Sequence, residues 1–277
     1  MNSRKTIAIT GGGSGLGKAL SLLYAARGWN IALTDISEPR LGAVANEILM
    51  AGAEVYAGQC DVRCDDPVRE WVNGAAERFG RIDVFVNNAG VAGAGSLEQT
   101  SFEDWAWMLD INLMGVVRGC KAVAPLMRRQ GFGHIVNVAS LAGIASAPMM
   151  ASYNVAKAGV VSLSESLRAD LSGTGVGVSV VCPSFFVSDL ASSARTSNAE
   201  QHRIVSKLVN KARYSADDVA RIVADDVAAG KFMILPQSDA RFAWWFKRLT
   251  PERFHHWVVK RSRGMVASEN TQRAQHG

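Results

Sequence analysis

Apolar and polar positions alternate in two rhythms along this chain. Short runs of β-branched and apolar residues recur: Thr6-Ile-Ala-Ile-Thr10, Trp29 to Thr34, Ala53 to Cys60, Ile82 to Val86, Gly133 to Ala139, Val176 to Cys182 and Phe232 to Pro236. Each reads as a strand. Between them, apolar residues return every three or four positions, as in helices with one buried face. Leu16, Leu20, Leu23 and Tyr24 share one side, as do Val68, Trp71, Val72, Ala75 and Phe79. Further helices are expected over 38–51, across most of 102–130, through 152–172, and from a capping Ser215 to Ala229. Strands that alternate with helices predict an α/β fold with a seven-stranded parallel sheet covered on both faces. The polar, loosely patterned stretch from 188 to about 212 reads as a lid.

After Pro236 the pattern changes. Phe242, Trp245, Phe246 and Leu249 fall on one helical face, and Thr250-Pro251 restarts a helix whose apolar face is Phe254, Trp257 and Val258. Residues 1–236 therefore read as one domain, and 237–277 as a basic, aromatic helical extension ending in a polar, disordered tail from 264. Of the formal charge of +5, the segment 241–263 carries +6: seven Lys or Arg against Glu252. The rest is near neutral, so the basic balance describes the extension and not a nucleic-acid-binding body. Three readings of the extension stay open: packing on the body or a partner subunit, a peripheral membrane contact through 240–261, and a cover for a substrate pocket.

Cys60, Cys64, Cys120 and Cys182 form no pair or cluster with metal-ligand spacing, so no metal is expected and the thiols read as reduced in a cytoplasmic protein. No signal-peptide pattern precedes the first strand, and no apolar run is long enough to span a bilayer.

The first strand breaks into Thr10-Gly11-Gly12-Gly13-Ser14-Gly15-Leu16-Gly17 and then a helix. Strand, glycine turn and helix together make a phosphate site, because the helix N-terminus offers free N–H groups. Asp35 ends the second strand, 18 residues past Gly17. A carboxylate there holds both hydroxyls of an adenosine ribose and repels a 2′-phosphate, which favours NAD over NADP; it equally suits the start of the helix at 38–51. Tyr153 and Lys157 are four apart and project from one helical face. An ammonium beside a phenol favours the phenolate and makes it a usable acid or base. Ser140 ends the fifth strand. Asn112 lies in an apolar helix, either as a core hydrogen-bonder or as a residue that bends the helix and holds a water.

In this order Thr10-Gly11-x-x-x-Gly15-x-Gly17, Asn87-Asn88-Ala89-Gly90, Asn112, Ser140 and Tyr153-x-x-x-Lys157 resemble the short-chain dehydrogenase/reductase superfamily, in its compact branch. The resemblance implies a Rossmann-type, doubly wound sheet. It implies that Gly11, Ser14, Gly15, Leu16 and Gly17 bind the dinucleotide, Asp35 its ribose, and Asp61 and Val62 its adenine. Asn88 would hold the neighbouring chain, and Phe186 and Ser188 the nicotinamide amide. Tyr153 would exchange the proton, Ser140 would steady the substrate oxygen, and Lys157 would bind the nicotinamide ribose, lower the tyrosine pKa and connect through water to Asn112. After the sixth strand Pro183-Ser184 stands where the family has Pro-Gly, which restricts the backbone near Phe186.

The expected activity is NAD(H)-dependent interconversion of a bulky, apolar alcohol and its ketone or aldehyde, in a pocket lined by Val91, Ala92, Leu141, Ala142, Met149, Met150, Phe185 and Phe186. An NADPH-dependent ketoreductase acting on an acyl thioester or lipid is the alternative, and a non-catalytic dinucleotide-sensing scaffold a distant one. Helices 102–130 and 152–172 are expected to build a homodimer or homotetramer.

Overall fold

The fold is that of a computed structural model, which describes residues 4–190, 194–196, 203, 206, 207, 209, 210 and 212–262. About half of the expected lid at 188–212, and all of the tail from 264, lie outside the described residues.

Strands β1 (Thr6–Thr10), β2 (Asn30–Asp35), β3 (Val55–Gln59), β4 (Val84–Asn87), β6 (Gly133–Val138), β7 (Val176–Val181) and β9 (Met233–Ile234) form one parallel sheet in the order β3-β2-β1-β4-β6-β7-β9. β5 (Gly93–Ala94) and β8 (Arg195–Thr196) pair separately, beyond its C-terminal edge. Side chains alternate across a strand. Ile7, Ile9, Ile31, Leu33, Val86 and Val136 therefore face one layer, formed by α1 (Gly15–Ala26), α2 (Glu38–Met50) and α8 (Ala216–Ala228). Ala8, Ala32, Phe85, Ile135 and Val180 face the other, formed by α3 (Asp65–Phe79), α5 (Gly115–Gln130) and α7 (Ala151–Asp170). Burial on both faces explains why β1 reads as an unbroken apolar run.

The order reverses at β1, which has β2 on one side and β4 on the other. Such a switch point opens a crevice at the C-terminal ends of the strands. The candidate residues collect there. Helix α4 (Phe102–Leu109) passes through a π-helical turn, Asp110–Met114, into α5, so the expected single helix is interrupted at Asn112.

The extension forms α9 (Ser238–Leu249) and α10 (251–262). Phe254 and Val258 are buried as expected, and pack with Ala243, Leu141 and Ala145. Each contributes roughly 1.5–3 kcal/mol of burial. On α9 the side toward the body is Ala240 and Ala243, with Trp244 beside Phe232 and Met233; of the expected apolar face, Phe246 is half-buried while Phe242, Trp245 and Leu249 are exposed. Small side chains allow the close approach to α6 (Ala142–Ala145) that large aromatics would prevent.

One half-buried histidine makes stability sensitive to acid. The Ser179 hydroxyl donates to the Lys231 carbonyl at 2.6 Å, so it accepts from His134 Nε2 at 2.7 Å. Burial lowers the His134 pKa from 6.5 to about 4. Between these values the unfolded chain takes up a proton that the folded one refuses. Stability therefore falls as pH drops through that window, by on the order of 2–3 kcal/mol. Urea melts from neutral pH down to about pH 4 should show this loss, reduced in His134→Gln. An equal loss in both proteins would place the acid sensitivity elsewhere.

Candidate active site

The glycine turn between β1 and α1 lies against the end of β4. Asn88 Nδ2 donates to the Thr10 and Gly11 carbonyls at 3.0 and 2.9 Å, and the Asn88 N–H donates to Thr10 Oγ1. Gly11 has φ +65°, in the left-handed region, and a Cβ there would lie 2.8 Å from Ala89 Cα. A Cβ on Gly17 would overlap the Gly11 carbonyl oxygen. Both glycines are needed for this close approach. Gly15 is open by contrast: a methyl added there would meet only Ser188 Cβ, at 3.6 Å. Ser14 is the N-cap of α1, and its side chain makes no capping bond. The Leu16 side chain is buried in the core, so only its backbone can serve a ligand at the turn.

Asp35 closes the far side of the turn. Its Oδ2 accepts from Gly13 N–H at 3.0 Å, and its Oδ1 from Ser37 N–H at 2.9 Å. Asp61 is paired with Arg63 at 2.6 Å, and hydrogen bonds from Arg63 hold its carboxyl below the usual range. Val62 is buried; a methyl on Gly115 would lie 3.0 Å from its Cγ2. Phe186 is half-buried on the core, and Ser188 sits over Gly15. An open turn at a helix N-terminus, with a carboxylate at the end of β2, fits a dinucleotide.

Tyr153 and Lys157 lie side by side on α7, both buried, with Nζ 5.9 Å from the ring centroid. Lys157 Nζ donates to the Val138 carbonyl at 2.9 Å. The Ser140 hydroxyl lies near Tyr153 and works to lower its pKa, and its Oγ accepts from Ala142 N–H at 3.1 Å. Asn112 is fully buried. Its Oδ1 accepts from Val91 N–H at 3.1 Å and its Nδ2 donates to Val91 O at 2.9 Å. The amide thus ties the π turn to the loop after β4, and both of its polar atoms are engaged there. A methyl on Gly90 would lie 2.7 Å from Asn112 Oδ1 and 3.5 Å from Lys157 Nζ, so amide and ammonium border the same small space.

The electrostatics differ from the sequence expectation. Burial pushes the Tyr153 phenol up, and the Ser140 hydroxyl offsets this in part. Lys157 is itself depressed by burial, to about 8. Water exclusion outweighs the spacing of the pair: the phenol is held protonated at neutral pH, and the ammonium, though depressed, stays mostly protonated there.

Val91, Ala142 and Met150 pack around Tyr153, together with Met108 and Trp107, which the sequence pattern does not single out. Ala92 is buried, and its carbonyl accepts from Arg195 N–H. The Met149 carbonyl accepts from Gly95 N–H at 2.8 Å. Leu141 packs toward the extension, and Phe185 is exposed. Gly143 is a further residue that sequence reasoning misses. A Cβ on it would lie 2.6 Å from the Lys157 carbonyl carbon, so its bareness lets α6 rest on α7 at the lysine. No local pattern marks it, because the contact joins two helices. Among the described residues, no group of three His, Cys, Asp or Glu is placed to hold a metal.

Residues 5–199 match the family model described as short chain dehydrogenase. A 3-oxoacyl-[acyl-carrier-protein] reductase of Synechocystis sp. is 36% identical over 226 residues, 80% of this chain and 89% of that protein. A CLA biosynthesis dehydrogenase/reductase of Lactiplantibacillus plantarum is 38% identical over 189 residues, 67% of this chain and 66% of that one. The crystal structure of a short chain dehydrogenase/reductase from Burkholderia phymatum in complex with NAD superposes with a TM-score of 0.86 at 34% identity, over 90% of this chain and 95% of that one.

Proposed function

Since this chain belongs to the short-chain dehydrogenase/reductase family, and so to oxidoreductases that bind a nicotinamide dinucleotide, we propose that it is an NAD(H)-dependent enzyme interconverting a bulky, apolar alcohol and its ketone or aldehyde. The observation that carries this reading is the buried pair Tyr153 and Lys157, with the half-buried Ser140, beside an apolar wall of Val91, Met108, Ala142 and Met150.

In this reading Gly11, Gly15, Gly17 and the N–H groups at the start of α1 hold the pyrophosphate. Asp35 holds the adenosine ribose, and Lys157 the nicotinamide ribose. The bound dinucleotide supplies or accepts the hydride. The protein manages the proton. In reduction, the Tyr153 phenol donates to the carbonyl oxygen and Ser140 donates to the same oxygen as its charge develops. Ala142 N–H occupies a Ser140 lone pair, which leaves the hydroxyl proton for the site. In oxidation, Tyr153 as phenolate removes the hydroxyl proton. Burial favours the protonated phenol, the form needed for reduction at neutral pH. The proposal includes a cytoplasmic homodimer or homotetramer, supported by the exposure of Phe102, Met114 and Val155 on the helices expected at the contact. A monomer in sedimentation equilibrium would remove that part.

The second reading, an NADPH-dependent ketoreductase acting on an acyl thioester or lipid, is favoured by the 3-oxoacyl reductase among the relatives. Initial rates with NADH and NADPH, over a panel of cyclic ketones, long-chain ketones and a 3-oxoacyl thioester, separate the two. The expected result is at least ~10-fold higher kcat/KM with NADH, narrowed in Asp35→Ala, as loss of charged hydrogen bonds to a ribose implies. NADPH preference together with the thioester as best substrate would replace the first reading by the second.

A further inference from the structure

The extension carries an apolar stripe that no described residue covers. Phe242, Trp245 and Leu249 on α9 are 55, 57 and 73% exposed. Half-buried Phe246 joins the stripe through Phe242, with ring centroids 5.4 Å apart, and Trp257 of α10 lies 6.0 Å from Phe242. The stripe is therefore continuous with the packed seam between the two helices, and Val259 adds an exposed apolar side chain on α10.

Cations edge this stripe. Arg241 and Arg248, seven residues apart on α9, share the flank nearer the body, where Arg241 donates to the Leu235 and Pro236 carbonyls at 2.9 Å and Arg248 lies over the Trp244 ring at 4.3 Å. Arg253, Lys260 and Arg261 are exposed on α10, Arg261 over the Trp257 ring at 5.5 Å. Of the nearby acids, Asp239 accepts from the Ser184 hydroxyl at 3.0 Å and is turned toward the body. With +6 on residues 241–263, a second copy docked through the same stripe would set two such segments against each other within a Debye length of roughly 8 Å. Charge therefore selects an anionic partner. An exposed row of Phe, Trp and Leu next to the exposed Arg253, Lys260 and Arg261 suits the headgroup layer of a bilayer, where tryptophan is favoured and apolar side chains enter a few ångströms.

We infer that residues 238–262 form a peripheral docking element that lays the Phe242–Trp245–Leu249 stripe on an anionic bilayer. None of the described helices is long and apolar enough to cross a membrane, and the contact is made at the surface. The element is joined to the catalytic region: Lys247 Nζ donates to the Ile144 carbonyl at 2.6 Å, and Phe254 and Val258 pack on Leu141 and Ala145, just after Ser140. A docked chain therefore holds its active-site region near the lipid surface. The inference stands independently of which substrate the enzyme takes.

The test is co-sedimentation of the full chain with vesicles of phosphatidylcholine alone and of phosphatidylcholine mixed with phosphatidylglycerol. The expected result is binding to the anionic vesicles, weakened by salt and at least ~10-fold weaker when Phe242, Trp245 and Leu249 are all changed to Ser. These side chains are more than half exposed, so the variant should stay folded by thermal melt and keep the wild-type oxidoreductase rate. Quenching of tryptophan fluorescence by brominated lipid, diminished in Trp245→Phe, reads the insertion directly. Absence of binding to anionic vesicles, or equal binding of the triple variant, would overturn the inference. So would an oligomer lost in that variant without any vesicle binding, which would assign the stripe to a second copy.

Discussion

Tyr153→Phe is expected to lower kcat by about 10²- to 10⁴-fold, the usual contribution of a positioned acid or base. The KM for the dinucleotide should stay nearly unchanged, because Lys157 keeps its bond to the Val138 carbonyl. The fold should survive: the ring packs against Met108 and Ala156 without needing its hydroxyl. The direction of the pH dependence follows from burial. The phenol is raised above its ordinary value of 10 and is protonated at neutral pH. The reductive rate, which uses the phenol, should be flat through neutral pH and fall at alkaline pH. The oxidative rate, which uses the phenolate, should rise with pH. Stopped-flow rates in both directions, with thermal melts as a folding control, check this. A Tyr153→Phe enzyme that turns over at the wild-type rate would take the proton away from Tyr153.

Gly17→Ala is expected to abolish the thermal stabilisation that a dinucleotide confers, and to destabilise the chain by about 1–3 kcal/mol through overpacking. The added methyl would overlap the Gly11 carbonyl oxygen and lie 2.6 Å from Asn88 Nδ2. It must therefore break the 2.9 Å bond from Asn88 to Gly11 that seats the turn on β4. The helix N-terminus would move away from the crevice. Gly42→Ala is the control, because no atom lies within 4 Å of its added methyl. Gly42 is inside α2, where alanine should be neutral or stabilising by about 0.5–1 kcal/mol. Melts with and without NADH decide the matter. A Gly17→Ala protein that is still stabilised by the dinucleotide would show that this turn is not its cradle.

These expectations draw on information of different range. The strand positions were legible because each strand is buried on both sides, and an apolar run bounded by turns records that fact locally. β1 matches its expected limits, Thr6 to Thr10, and the other six strands of the large sheet differ only at their ends, while the two-residue β5 and β8 were not expected. Tyr153 and Lys157 were legible as a pair because the helix repeat alone places residues four apart on one face. Leu16 could not be assigned from the glycine motif, since the motif names positions in the turn and not the direction of each side chain. Met108 and Trp107 carry no motif; they line the site because the π turn brings α4 over Tyr153.

The sequence by itself determined the order of strands and helices, the turn at Gly11 to Gly17, the α7 pair and the charge of the extension, because each depends on neighbours a few residues apart. The tertiary structure alone decided three things. It set the shift of Tyr153, which depends on how completely the fold excludes water from the phenol. It placed Gly143 against Lys157, through a crossing of two helices. It also chose the face of α9 that meets the body: hydrophobicity favoured Phe242, Trp245 and Leu249, but only Ala240 and Ala243 are small enough to let the helix approach α6. Periodicity reports which side chains avoid water, whereas packing depends on the shape of a surface that distant parts of the chain must build.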